Sequence, residues 1–167
     1  GPLDVAALRA ALTAVVRRHE SLRTRFGSAY GRPHQVIDPP PADFPLALHD
    51  GPPGTEIAPF DLERGPLFRA ALHRLADEDH VLALTAHHIV ADGWSFGILT
   101  REIDRLYRSR GADPEPRPAV QPADIAAWQR GGVLDEHLAY WRQRLAGLAE
   151  LALPTTRPRP AVRTWDG

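Results

Sequence analysis

The chain has 167 residues, of which 43% are hydrophobic and 25% charged, with a formal net charge of −1. That size suits one domain, or one lobe of a larger one, with a real core, and so small a charge provides no field to attract nucleic acid or an anionic membrane. Cysteine is absent and all 20 basic residues are arginine, which excludes disulfides, thiolate chemistry, a lysine Schiff base and a P-loop lysine.

No apolar run is long enough to cross a bilayer, and no signal-peptide pattern opens the sequence. These features predict a cytoplasmic protein with neither a membrane nor a nucleic-acid partner. Methionine is absent as well, so the chain is expected to start downstream of its translation start.

In chain order, Asp4 can cap a first helix whose apolar stripe is Leu8, Leu12, Val15 and Val16, with Arg17, Arg18 and His19 in its last turn, where positive charge suits the dipole. Residues 22–26 read as a strand, 27–33 as a turn and 34–37 as a second strand. Pro39, Pro40 and Pro41 mark a loop, and a short strand is expected at 44–48. Residues 67–75 and 81–89 predict an antiparallel hairpin around a polar turn at 76–80. A helix is expected from near Ser95, with Phe96, Leu99, Ile103 and Leu106 along one face. Four prolines fall within 111–122, a surface loop, and two further helices are expected at 123–130 and 133–148. The proline- and arginine-rich tail from Pro154 lacks periodicity and reads as linker. This order of strands and helices predicts an α+β fold, an α/β sandwich with a mixed sheet flanked by helices.

The chemistry concentrates after residue 81. If the strand runs regularly to 89, His87 shares a face with Val81, Ala83 and Thr85, and His88 shares the other with Leu82, Leu84 and Ala86. Two adjacent histidines that diverge cannot chelate one metal, so one should be structural and one available for work. Asp92-Gly93 follows directly. A glycine there allows close backbone approach or positive φ, and a buried aspartate could lock the loop that presents the histidine. A histidine in a strand is more often structural than catalytic, and a lone Asp-Gly is usually a turn. The combination is far more specific than either part and would suit acyl transfer. The remaining histidines (His19, His34, His49, His73, His80, His137) lack metal-ligand spacing.

His87-His88-Ile89-Val90-Ala91-Asp92-Gly93-Trp94-Ser95 closely resembles the core signature of the condensation domains of nonribosomal peptide synthetases. Arg18-His19-Glu20-Ser21-Leu22-Arg23-Thr24-Arg25-Phe26 resembles the family's second motif. Pro59-Phe60-Asp61-Leu62 with Gly65-Pro66-Leu67-Phe68-Arg69 resembles the segment that leads into the catalytic hairpin. Asp124-Ile125-Ala126-Ala127-Trp128-Gln129 and Tyr140-Trp141 continue the likeness in family order. The family's opening motif and its second lobe have no counterpart in the sequence.

The resemblance implies a chloramphenicol-acetyltransferase-like lobe at 1–153 and a linker at 154–167 towards a carboxy-terminal lobe. It implies that His88 faces the tunnel between lobes and that His87 is structural. Asp92 would be a structural anion, with Arg23 as its first-choice partner and Arg25 as the second. Gly93 would line the tunnel floor, and Trp94 and Ser95 would border the substrate channel.

The implied reaction joins an acceptor aminoacyl amine to a donor thioester. Donor and acceptor carrier domains would be the partners, with phosphopantetheine arriving on those carriers and no cofactor or metal bound directly. An isolated lobe would be inactive and would expose an apolar face favouring self-association. The alternatives are an ester-forming acyltransferase of the same superfamily and a non-catalytic relative that recruits a partner.

Overall fold

A computed structural model describes residues 1–54, 58–112, 115, 117–149 and 154. The chain divides into two compact units, Gly1–Ala127 and Trp128–Gly167.

Helix α1 spans Val5–Arg18. The Asp4 carboxylate accepts from the Ala7 N–H at 2.9 Å, satisfying a donor that the first turn leaves orphaned. Its face of Leu8, Ala11, Leu12, Val15 and Val16 is buried. One turn of 3₁₀ helix, Glu20–Arg23, follows, so strand β1 begins at Thr24 and not at Leu22. β1 (Thr24–Ala29) pairs antiparallel with β2 (Arg32–Ile37). The turn between them is tighter than its glycine suggested. Tyr30 and Gly31 both take positive φ, 53° and 72°, the two-residue geometry that matches strand twist. Gly27 lies inside β1, where a Cβ would stand 3.0 Å from the His34 ring opposite.

β3 (Ala47–Asp50), β4 (Phe68–Ala76) and β5 (Asp79–Ala86) form the second sheet. β3 runs parallel to β4, and β4 antiparallel to β5. β3 starts later than the expected 44–48 because Phe44 and Leu46 are buried ahead of it. Helix α2 spans Gly93–Arg108 and packs Leu99, Ile103 and Leu106 into one core with α1, Phe44, Leu46 and the β4 residues Phe68, Ala70 and Leu72. Leu82, Leu84 and Ala86 of β5 pack against the same cluster. A mixed three-stranded sheet and an antiparallel hairpin flanked by helices make the fold α+β.

Helix α3 (Pro122–Trp128) is shorter than the expected 123–130. In the smaller unit, an irregular turn at Gln129–Val133 takes Gly132 to φ 82°, and helix α4 covers Asp135–Arg144. The expected linker at 154–167 lies outside the described residues apart from Pro154. Among the described residues no helix is long and apolar enough to cross a membrane.

Candidate active site

The strand does not run to 89. β5 ends at Ala86, and the His87 N–H makes one last bond to the Leu67 carbonyl at 2.9 Å. The Val90 N–H then closes a turn on the His87 carbonyl at 3.0 Å. This corrects the alternation argument. Continued regularly, β5 would have sent His88 to the core side with Leu82, Leu84 and Ala86. Because the chain leaves the strand first, His88 is exposed on the turn while His87 is half-buried.

His87 is half-buried and held on several sides. Its Nδ1 accepts from the Ile89 N–H at 3.1 Å, which places the proton of a neutral ring on Nε2. Its ring meets Phe60 edge-on, centroids 6.0 Å apart at 90°. The Arg69 guanidinium lies 4.2 Å from the Phe60 ring centroid, and Arg69 is anchored by the carbonyls of Ala58 and Pro59 at 2.9 and 3.1 Å. Phe60 and Arg69 were not among the expected site residues. Their only signal was membership of the segment leading into the hairpin, since burial and stacking are not written in spacing.

Asp92 is the N-cap of α2. Its Oδ1 accepts from the Ser95 N–H at 2.8 Å and from the Ser95 hydroxyl at 2.6 Å. The Asp92 N–H donates back to the Ser95 hydroxyl at 3.2 Å, completing a reciprocal cap. The Ser95 hydroxyl, then its backbone N–H, hold the Asp92 carboxyl below its ordinary value. The nearby His88 charge acts in the same direction as a smaller contribution.

Two expectations about Asp92 need correction. The carboxylate is exposed, not buried, and neither Arg23 nor Arg25 pairs with it. Arg23 donates to the Asp38 carbonyl and reaches Glu20 at 3.4 Å. Arg25 pairs with Asp38 at 3.0 Å and donates to the Glu63 carbonyl at 3.2 Å. Both arginines brace the β1–β2 hairpin, because Asp38 follows β2 directly, opposite Arg23 and near Arg25, and Asp92 is already satisfied by Ser95.

Gly93 is the first residue of α2, with no positive φ, and a Cβ there would meet nothing within 4 Å. The chain's own packing therefore does not require glycine at 93. Trp94 is 82% exposed, so the turn and helix start present an imidazole, a capped carboxylate, a bare backbone and an open indole on one segment. A cavity of about 540 Å³ is lined by α1 residues with Asp43, Arg110, Gly111 and Arg117 and includes no residue of this segment. Two smaller cavities, about 100 and 210 Å³, share Val90 of the histidine turn.

Comparison with known proteins places this segment in context. The family model described as "Condensation domain" matches residues 1–167. Chondramide synthase cmdD of Chondromyces crocatus is 44% identical over 188 residues, covering 100% of this chain and 5% of that protein. Malpibaldin synthetase of Mortierella alpina is 43% identical over 188 residues, covering 100% of this chain and 3% of that protein. Among solved structures, the X-domain from teicoplanin biosynthesis superposes with a TM-score of 0.79 at 35% identity, over 97% of this chain and 40% of that one. The same X-domain in complex with OxyB matches with a TM-score of 0.78 at 37% identity and the same coverage. The chain thus spans a small fraction of the synthetases it matches and two-fifths of the solved domain.

Proposed function

The chain belongs to the condensation-domain family of nonribosomal peptide synthetases, and from that premise we propose that residues 87–95 form the amide-forming site of such a domain. The observation that carries the reading is the exposed imidazole of His88, on a turn fixed by backbone bonds and by the Asp92–Ser95 cap. Its substrates are a donor acyl thioester and an acceptor aminoacyl thioester, each brought on the phosphopantetheine arm of a carrier domain.

The acceptor nitrogen attacks the donor carbonyl, a C–N bond forms, and the tetrahedral intermediate expels the donor thiolate. His88 receives the proton lost by the nitrogen and passes it to the departing sulfur, so amide and free thiol are the balanced products. An α-amino group titrates at about 7.7–8.0, so about a tenth or more of it is already free amine at neutrality and a strong base is not compulsory. Orientation of the amine by His88 therefore contributes alongside proton acceptance. His87, edge-on against Phe60, and Asp92, engaged by Ser95, hold the turn in place.

The test is His88→Ala in the full-length protein with two loaded carriers. Amide formation should fall by about 10²–10⁴-fold while carrier binding persists. Retained turnover would remove His88 from the mechanism.

A second reading draws on the likeness to the X-domain seen with OxyB, namely recruitment of a partner enzyme without catalysis. The complete His-His and Asp-Gly set favours catalysis, and the same assay separates the two.

A further inference from the structure

We propose that the cavity of about 210 Å³ behind the histidine turn is a side-chain pocket that selects one of the two aminoacyl groups being joined. This rests on the condensation reading and adds a specificity determinant to it. One wall is Ile89 and Val90, the residues directly after His88. The other walls come from three separate elements: Ser21 of the 3₁₀ turn, Phe26 and Gln35 of the β1–β2 hairpin, and Pro122 with Ala123 at the start of α3.

The lining specifies the ligand. Phe26, Ile89 and Pro122 offer apolar contact. Glu20 also borders the cavity, but its carboxylate is engaged by Arg23 and Arg117, so the pocket carries no free anion to hold a cationic side chain. The Ser21 hydroxyl and the Gln35 amide have no side-chain hydrogen bond among the described residues. A volume of about 210 Å³ accessible to water-sized groups is well above the ~10–15 Å³ that one such group needs, so a methyl or hydroxymethyl leaves most of it unfilled. The occupant that suits these features is an uncharged, medium-sized side chain with an apolar body and a hydrogen-bonding end. That end would meet Gln35 and Ser21.

Either the donor or the acceptor could present such a side chain, and the experiment separates them. In the full-length protein, kcat/KM is measured with acceptors bearing glycyl, leucyl or glutaminyl groups against a constant donor, and then with donors varied against a constant acceptor. Ala123→Phe narrows the pocket and should lower kcat/KM about 10-fold or more for leucyl and glutaminyl groups in one arm, leaving glycyl unchanged. Gln35→Leu removes the amide and should shift preference from glutaminyl to leucyl by about 10-fold in that same arm. Gln35 is exposed and Ala123 half-buried, so either variant is expected to fold and either alone decides.

Equal losses for all three groups in both arms, or no loss at all, would overturn the pocket while leaving the condensation reading intact. Absence of amide from every pair with the unaltered protein would instead overturn the condensation reading, and the pocket with it.

Discussion

At the residue scale, the Asp92–Ser95 cap sets the stability of the segment that carries His88. Asp92 is held below its ordinary value chiefly by the Ser95 hydroxyl, so the folded state binds its proton less readily than the unfolded chain. Its contribution is therefore complete above the unfolded aspartate value, about 3.9, and is lost as pH falls through the lower folded value. Ser95→Ala removes the largest cause and leaves the backbone N–H. The Asp92 carboxyl should then titrate at higher pH, and the amide of residue 95 should lose exchange protection at a less acidic pH. Carboxyl-carbon NMR titration of both proteins checks this, and superimposable curves would exclude the hydroxyl as the cause.

At the element scale, the position of the site depends on α2. Asp92 caps that helix, and Leu99, Ile103 and Leu106 lock it against α1 and the sheet. The second motif reinforces the same helix. Glu102 of α2 accepts from Arg18 at 3.1 Å and meets His19 Nε2 at 2.6 Å, with Arg18 and Glu102 mostly buried. Arg18 and His19 thus tie the end of α1 to the helix that begins at the site. Leu106 is fully buried, so Leu106→Ala should destabilise the chain by about 2–5 kcal/mol through lost burial and a residual cavity. Denaturant midpoints at unchanged slope would report it, and a loss under about 1 kcal/mol would mean that the helix is not held by this stripe.

At the scale of the whole molecule, the chain covers two-fifths of the X-domain structure it resembles. Ile89 and Trp94 beside the site are 47% and 82% exposed, apolar surface open to a covering partner. On the proposed reading, the 167 residues by themselves should give no amide with two loaded carriers, and should self-associate as concentration rises. Product quantification and light scattering test the two outcomes. Product above background would show that these residues suffice.

Local patterns carried much of this structure. The stripe of α1, its Asp4 cap, the β4–β5 hairpin and the face of α2 follow from periodicities of about 3.6 and 2 that depend only on neighbours in the chain. The motif at 87–95 was legible for the same reason, since it is contiguous. Where β5 stops, which residue satisfies Asp92, and what supports His87 were not legible. Each depends on partners distant in sequence: the Leu67 carbonyl that ends the pairing, the Asp38 and Glu63 acceptors that draw Arg23 and Arg25 away, and the Phe60 ring stacked by Arg69. Alternation along a strand assigns faces only while the strand continues. Competition among hydrogen-bonding groups for the nearest acceptor is decided only once the chain has packed.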